Sequence, residues 1–404
     1  MNESTSRPAG GNLASEVAAY CRSVADGTYR SAVLIALPEH EVSLRERLPP
    51  VAEQSASATC TAHAVAVLVA YAENPTCPPV LSVQFLFDRV KFRETEWISR
   101  NLESIRCGLE PDGEFALVYS RPYARLKQLI EANGGVGSAA ARSFLAQFES
   151  QLQARTGVSV GSMIHRCFDV VRDVGVCRDE LCPSASIQRL SLAGAAGRSE
   201  PSREVLSDAS RHRVARGLKV LDHPNSVNEI RRILSGAGGM MPMPVCVAVD
   251  IFEGCVNGDF GFPSVGDDDW TANRPMGLHA VLLVGFADDA TEPGGGHFVV
   301  RNSWGSAWGD AGYGRMSYAY LEVFCREAGT ILRQRNPAED ILPIGSSRMA
   351  GGVCAVCGKS YHGGTSLRFQ CEEPGCEAHI CFDCHERKKM RRCQKHALDM
   401  PKTA

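Results

Sequence analysis

The chain has 404 residues, 44% of them hydrophobic, and carries a formal net charge of -3 at pH 7. This length suits one large domain with an appendage, or two to three ordinary domains, and the composition supports a substantial core. The near balance of charge excludes a general electrostatic attraction of the whole chain to nucleic acid or to an anionic membrane surface.

Targeting signals and cysteine usage narrow the class of protein. The N-terminal residues lack a basic start followed by an apolar run, and no stretch reaches the roughly 18 apolar residues of a membrane span. We therefore expect a soluble, cytoplasmic protein. The chain has 17 cysteines, which divide into a scattered set up to Cys325 and a dense set from Cys354 to Cys393. In a reducing compartment we expect the scattered thiols to stay reduced and the dense set to bind metal.

Changes in composition divide the chain into four parts. They are an N-terminal tail (1–43), a main domain (44–332), a linker (333–350) and a cysteine-rich domain (351–404). The linker is assigned from its prolines, glycines and mixed charge. Two insertions interrupt the main domain. The first, about 94–159, has a helical pattern, and the second, about 191–220, is rich in Ser, Gly, Ala and charge.

Cys60 stands where small polar residues give way to an apolar run. The stretch "TAHAVAVLVAY" (61–71) is apolar on nearly every side, which predicts a helix buried in the centre of the domain. Unpaired N–H groups and the positive end of the helix dipole favour a thiolate in the first helical turn, which suits a nucleophile. An inert core cysteine, the more common fate of a scattered cysteine, is the alternative at this step. His63, one turn further along, is a rival base, but on the same helix it would point along the axis, so we predict a packing or capping role.

Two apolar segments downstream, "GLHAVLLVGFAD" (277–288) and "GHFVVRNSWG" (296–305), predict strands joined by the turn-rich loop "DATEPGGG". A hairpin centred on that loop pairs residues whose numbers sum to about 581. His279 then lies opposite Asn302, with Cβ atoms about 5 Å apart. A side-chain amide beside a histidine fixes the ring's tautomer and leaves its other nitrogen for a thiol.

Four segments, "LPPVAEQSASATCTAHA", "LSVQFLFDRVKF", "GLHAVLLVGF" and "VVRNSWGSAWGDAGYGRM", resemble the papain family of cysteine peptidases, in the bacterial-type variant where Thr-Ala follows the nucleophile. The resemblance implies an α+β, two-lobed fold in which a helical lobe with a central helix adjoins an antiparallel β-sheet lobe. It also implies a nucleophile, a base, an orienting amide and an oxyanion donor at Cys60, His279, Asn302 and Gln54. Trp304 matches the indole that covers the His–Asn contact.

The motif around the cysteine departs from the family pattern. The family usually has Gly after the glutamine and Gly-Ser before the cysteine, whereas this chain has Ser55 and Ala58-Thr59. A methyl group at position 58 would crowd the oxyanion loop if the backbone there needed a positive φ. A catalytically inactive papain-like scaffold or adaptor is therefore one alternative to a peptidase. An isopeptidase acting on ubiquitin-like conjugates is another.

The C-terminal region contains four pairs of thiol or imidazole ligands, eight donors that suit two tetrahedral zinc sites. They are Cys354, Cys357, Cys371, Cys376, Cys381, Cys384, Cys393 and His396. The spacing suggests a cross-brace, with the first and third pairs holding one ion and the second and fourth the other. His362, His379 and His385 are alternative ligands. About 50 residues have little core of their own, so two structural zinc ions would stabilise them.

This region resembles the ZZ-type zinc finger and, more loosely, other small treble-clef or cross-brace domains. Its departures from the ZZ pattern are the four residues within the second pair and a cysteine where a histidine is usual. The resemblance implies a protein partner bound through the finger. For the main domain we expect a protein or peptide substrate and no catalytic cofactor. We expect neither a membrane nor nucleic acid as a partner, since "RKKMRR" (387–392) reads as a solvated basic face.

Overall fold

The computed structural model describes 33–133, 135–155, 161–184, 200–253 and 275–334, together with a few single residues between and before these ranges. In the C-terminal region it describes the backbone of four short strands. The chain divides into a first unit, Met1–Asp340, and a second unit, Ile341–Ala404.

An eight-stranded sheet, counted within the described residues, is the frame of the first unit. Its strands are β1 (Glu41–Ser43), β2 (Leu218–Val220), β3 (Val245–Phe252), β4 (Asp259–Phe260), β5 (Pro275–Asp288), β6 (Gly296–Arg301), β7 (Tyr313–Ser317) and β8 (Cys325–Ile331). They lie in the order β2-β8-β3-β5-β6-β7-β4, and β1 pairs with β5. The pairings are antiparallel apart from that of β4 with β7. β3 is an interior strand, which explains its nearly continuous run of buried apolar residues.

The described helices of the first unit are α1 (Cys60–Glu73), α2 (Val83–Arg106), α3 (Gly113–Val118), α4 (Ser120–Ala132), α5 (Ala139–Arg155), α6 (Ile164–Asp173), α7 (Arg203–Arg211), α8 (Val227–Ser235) and α9 (Tyr318–Phe324). Short 3-10 turns occupy Arg45–Arg47 and Asp179–Leu181. Helices together with a largely antiparallel sheet confirm the predicted α+β class. None of the described helices combines the length and the apolar character needed to cross a bilayer.

The central helix α1 packs against β5, β3 and β8 on one side and against α2 and α6 on the other. Because it has neighbours all round, nearly every side chain along it is buried, and only Val67 and Glu73 are not. An apolar sequence with no polar face is what such a position requires. The helix therefore begins inside the domain and reaches the surface at its last residue, Glu73, and its first residue, Cys60, lies against the sheet.

The range predicted as the first insertion holds the second half of α2 and the helices α3, α4 and α5. These helices enclose a hydrophobic core of their own, here called the insertion core: Trp97, Ile98, Leu102, Ile105, Phe115, Tyr119, Tyr123, Leu126, Leu145, Phe148 and Leu152. Asp112 joins its parts. One carboxylate oxygen accepts from the backbone N–H of Phe115 at 2.7 Å and so caps α3, and the other accepts from Trp97 Nε1 at 2.7 Å on α2.

Residues 33–43, which the sequence assigned to the tail, form hydrogen bonds with other parts of the first unit. Asn228 at the start of α8 accepts from the N–H of Ile35 at 2.9 Å and donates to the carbonyl of Val33 at 2.9 Å. β1 then pairs with the far end of β5. A Cβ at Gly285 would lie 2.2 Å from the carbonyl oxygen of Val42, so the close approach of β1 depends on this glycine.

The second unit contains two short antiparallel pairs, β9 (Gly352–Val353) with β10 (Ser360–Tyr361), and β11 (Arg368–Gln370) with β12 (His379–Cys381). Of the predicted zinc ligands, the backbone of Cys381 lies in β12. The others lie outside the described residues: Cys354, Cys357, Cys371, Cys376, Cys384, Cys393 and His396. Two zinc ions in this unit therefore stay a prediction. Elsewhere in the described part of the chain, no three His, Cys, Asp or Glu side chains form a metal-binding group.

Burial of α1 generates a prediction about stability. Leu68 lies on α1 with none of its surface exposed, whereas Leu117 on α3 is 68% exposed. We expect Leu68→Ala to lower the free energy of unfolding by about 2–5 kcal/mol, because it leaves a cavity between helix and sheet. The matched control Leu117→Ala should stay within about 0.5 kcal/mol of the parent. Urea denaturation followed by circular dichroism measures both, and equal losses in the two variants would contradict the central position of α1.

Candidate active site

Cys60 is the first residue of α1 and is buried, with 8% of its surface exposed. The turn before it is tied by hydrogen bonds: the hydroxyls of Ser57 and Thr59 bond with each other at 2.8 Å, and the carbonyl of Thr59 accepts from the N–H of His63 at 2.9 Å. The backbone N–H of Cys60, like those of the other residues in the first turn of a helix, has no partner within the helix. The sulfur thus lies at the positive end of the helix dipole.

His279 lies on β5 and is buried, with Val249 of β3 as its backbone partner. Its ring bonds through Nε2 to Asn302 Oδ1 at 2.7 Å. Asn302 follows the last residue of β6, and its Oδ1 also accepts from the backbone N–H of Ser303 at 2.8 Å. Because the backbone N–H of Ser303 can only donate, the atom it contacts is assigned as the amide oxygen of Asn302. An oxygen in this position accepts, so His279 Nε2 must carry a proton, and Nδ1 faces a different partner.

The predicted register of this hairpin is wrong by two residues. The observed partners are Leu282 with Arg301 and Leu283 with Val300, and the register shifts again before Gly285. Because side chains alternate with a period of two, a shift of two leaves His279 on the same face of the sheet. The contact with Asn302 forms all the same, since Asn302 lies just beyond the end of β6.

Trp304 lies beyond the end of β6 and contacts the ring of His279. The two rings stack, with centroids 4.6 Å apart and planes at 29°. Trp308 packs edge-on against Trp304, with ring centroids 5.7 Å apart. The indole therefore covers the histidine ring and limits the access of water to its bond with Asn302.

The surroundings of Cys60 act on its pKa in opposite directions. Burial alone raises the pKa of this thiol, but its hydrogen bond with the His279 ring, the charge of that ring and the backbone N–H of Ala280 lower it. The net result is a pKa below the ordinary value for cysteine. Cys167 and Cys246 show the contrasting case, since burial raises the pKa of each well above that value. The structure thus brings the three residues together: the His279 ring lowers the pKa of Cys60, and the same ring bonds to Asn302 Oδ1 at 2.7 Å.

Gln54 precedes Cys60 in the chain, and both the oxygen and the nitrogen of its side-chain amide are hydrogen-bonded. Ser303 Oγ donates to Gln54 Oε1 at 2.5 Å, and Gln54 Nε2 donates to the carbonyl of Ser57 at 2.7 Å. The backbone N–H of Gln54 donates to the carbonyl of Ser303 at 2.8 Å. The amide orientation is therefore fixed, and Nε2 keeps a second hydrogen for another acceptor. Sequence reasoning missed Ser303, although its place between Asn302 and Trp304 in the N-S-W-G motif was the available signal.

The strained position of the loop before Cys60 is Ser55, with φ +50°. Ala58, whose methyl group the sequence suggested as an obstruction, has no positive φ. The expected crowding at position 58 is therefore not observed. A non-glycine residue in the left-handed region is uncommon and costs about 1–3 kcal/mol, and such strain concentrates at functional sites.

His63, the rival base, is buried on α1. Burial and the nearby charges of Arg301 and His279 lower its pKa to about 4. The pKa of Cys60 is lowered by His279 and not by His63. No partner is found for His63 Nε2 among the described residues.

Comparisons with known proteins cover part of this site. Residues 243–328 match the sequence profile described as "Papain family cysteine protease". Cysteine proteinase 2 of Zea mays and the oryzain gamma chain of Oryza sativa subsp. japonica are each 37% identical over 101 residues, 25% of this chain and 26% of the relative. The chain thus matches about a quarter of the length of these curated relatives.

Among solved structures, xylellain, a cysteine protease from Xylella fastidiosa, is similar with a TM-score of 0.44 and 18% identity over 76% of this chain and 96% of that chain. The sequence match to the family includes His279 and Asn302, whereas Gln54 and Cys60 precede it. The segment 243–328 is thus the part of this chain that matches the papain family of cysteine proteases.

Proposed function

We propose that the first unit is a papain-like cysteine peptidase that hydrolyses peptide bonds through Cys60, His279 and Asn302. The observation that carries the proposal is the position of Cys60 at the N-terminus of a buried helix, where the ring of His279 lowers its pKa while that ring bonds to Asn302 Oδ1 at 2.7 Å. The match of residues 243–328 to the papain family supports it. A protein or peptide is then the substrate.

Each residue has a distinct task in the proposed reaction. The Cys60 thiol passes its proton to His279 Nδ1, and the thiolate attacks the peptide carbonyl to form a tetrahedral adduct. His279 returns the proton to the leaving amine, after which water, deprotonated by the same ring, hydrolyses the thioester and regenerates the thiol. Asn302 accepts from Nε2 throughout and so keeps the ring oriented.

The oxyanion of the adduct needs two donors close to the sulfur. The backbone N–H of Cys60 is one, and the second hydrogen of Gln54 Nε2 is the other. Ser303 supports this role because it holds Gln54 Oε1 at 2.5 Å and so keeps Nε2 from exchanging places with the oxygen. The left-handed backbone at Ser55 maintains this loop despite the departure from the family's glycine. These contacts favour an active enzyme over an inactive scaffold.

We further propose that the second unit binds two structural zinc ions and recruits a protein partner to the peptidase. The support is the spacing of its cysteine and histidine pairs. If the second unit recruits proteins that carry a ubiquitin-like modifier, the peptidase would act as an isopeptidase on such conjugates. Cleavage assays on these conjugates test this alternative.

The lowered pKa of Cys60 predicts selective alkylation. Iodoacetamide should modify Cys60 with half-maximal rate at a pH below the value of about 8.5 expected for a free cysteine, since the thiolate is the reacting form. His279→Ala should move the half-maximal pH upward, because burial then opposes ionisation without the ring's compensation. Mass spectrometry follows each thiol separately, and the exposed Cys77 serves as the internal control. An unchanged profile for Cys60 in His279→Ala would refute the pairing.

Loss of the three residues predicts graded effects on cleavage of a fluorogenic peptide. Cys60→Ala and His279→Ala should lower kcat/KM by about 10³-fold or more, since each removes the nucleophile or its proton acceptor. Asn302→Ala should lower it by about 10–100-fold, because it disturbs orientation alone. Cys77→Ala is the control with unchanged rate. A folded parent protein that cleaves neither peptides nor conjugates would favour the scaffold alternative.

The proposed zinc sites predict the metal content of the purified chain. Elemental analysis should find two zinc ions per chain, falling to one in Cys354→Ser because each ion needs four ligands. A second substitution at Cys371, in the other predicted site, should remove the remaining ion. Cys77→Ser should retain both ions. A metal content below one ion in the parent protein would contradict the zinc assignment.

A further inference from the structure

A small pocket lies between α1 and the sheet, behind the sulfur of Cys60. Its walls include Cys60, His63, Ala280, Arg301, Asn302 and Ser303. Its cavity volume is about 20 Å³. One water molecule needs about 10–15 Å³ measured in this way, together with two to four polar partners. The pocket is therefore large enough for one water, and its walls combine polar with apolar side chains.

Two buried polar atoms of residues on these walls have no hydrogen-bond partner within the described part of the chain. They are His63 Nε2 and Asn302 Nδ2. His63 is 6% exposed and Asn302 is 4% exposed. A buried polar atom left without a hydrogen bond costs roughly 1–3 kcal/mol, so two such atoms on one pocket indicate a shared partner.

The charges around the pocket decide which role each atom takes. The groups that act on His63 are Arg301 on β6 and His279 on β5, and Cys60 lies on the same wall. Because burial and the nearby charges of Arg301 and His279 lower the pKa of His63 to about 4, the His63 ring is neutral near pH 7 and keeps one nitrogen as an acceptor. Arg301 is already occupied by the carbonyls of Pro49 and Pro50, at 2.7 and 2.8 Å.

We propose that one buried water accepts from Asn302 Nδ2 and donates to His63 Nε2, which makes His63 a positioning residue for the Asn302–His279 pair. The amide of Asn302 is then held at both ends. Its oxygen accepts from Ser303 N–H and from His279 Nε2, and its nitrogen donates to the water that His63 retains. This inference rests on the proposed function and extends it to the side of Asn302 facing away from the histidine.

The consequence for the reaction is the tautomer of His279. If the amide turned over, its NH₂ group would face His279, whose Nε2 would have to become an acceptor and whose proton would move to Nδ1. A protonated Nδ1 on a neutral ring cannot take the proton of Cys60. By holding the amide nitrogen away from His279, the water and His63 keep Nδ1 free for the thiol.

Two substitutions at one position separate this role from simple packing. His63→Phe keeps a ring in the core but removes the acceptor, and we expect it to lower kcat by about 10-fold with KM unchanged within about 2-fold. His63→Gln retains a side-chain oxygen that can accept from the water, and it should stay within about 3-fold of the parent kcat. In an Asn302→Ala background, His63→Phe should cause no further loss, because both changes break the same link.

A second measurement reads the tautomer without any turnover. In Cys60→Ala protein with ¹⁵N-labelled histidine, NMR should show the Nε2–H form of His279. The double variant Cys60→Ala/His63→Phe should show a mixture of His279 tautomers. The double variant Cys60→Ala/His63→Gln should show the Nε2–H form alone. Thermal unfolding checks that all variants are folded. The same tautomer in all three proteins, or an equal loss of kcat in the Phe and Gln variants, overturns the role of His63.

The two proposals fail in different ways. If the parent protein cleaves no peptide but the tautomer changes as described, the peptidase assignment falls and the positioning role of His63 stands. If the parent is active and neither the tautomer nor kcat responds to His63→Phe, the peptidase assignment stands and the role of His63 falls.

Discussion

The packing of α1 against β5 is the constraint on which the rest of the candidate site depends. The helix is buried on all sides, so its first residue is presented inside the protein, directly beside the strand that carries His279. Burial alone would keep the Cys60 thiol protonated, because a buried anion is unfavourable. The hydrogen bond and charge of His279 reverse that tendency. A shift of α1 relative to β5 would therefore remove the effect of His279 on the pKa of Cys60 without altering either residue.

The wall opposite the helix is built from a short polar segment that follows β6. Asn302 holds His279, Ser303 holds Gln54, and Trp304 covers the histidine ring. Three consecutive residues thus fix three separate parts of the site. Arg301, the last residue of β6, anchors the segment to the chain before the nucleophile through the carbonyls of Pro49 and Pro50. The N-S-W motif is therefore a structural unit in which each side chain serves a different neighbour.

Other parts of the chain support the site from a distance. The insertion core is separate from the main core, and Asp112 ties its helices together. Helix α2 contributes to both cores, its first half to the main core and its second half to the insertion core. Residues 33–43 act differently, because β1 extends the sheet at the far end of β5. They continue the strand that carries His279, and Gly285 makes room for them.

The sequence by itself determined the buried helix after Cys60 and the pairing of the two segments that carry His279 and Asn302, because these follow from local hydrophobic periodicity and turn composition. The resemblance of four segments to the papain family implied the α+β class. The sequence did not determine the register of that pairing, since a bulge and the exact end of β6 depend on neighbouring strands. Ser303, the left-handed Ser55 and the pocket beside His63 were decided by tertiary structure alone. Each depends on which side chains from distant segments meet, and that choice is made by packing of the whole domain rather than by any local pattern.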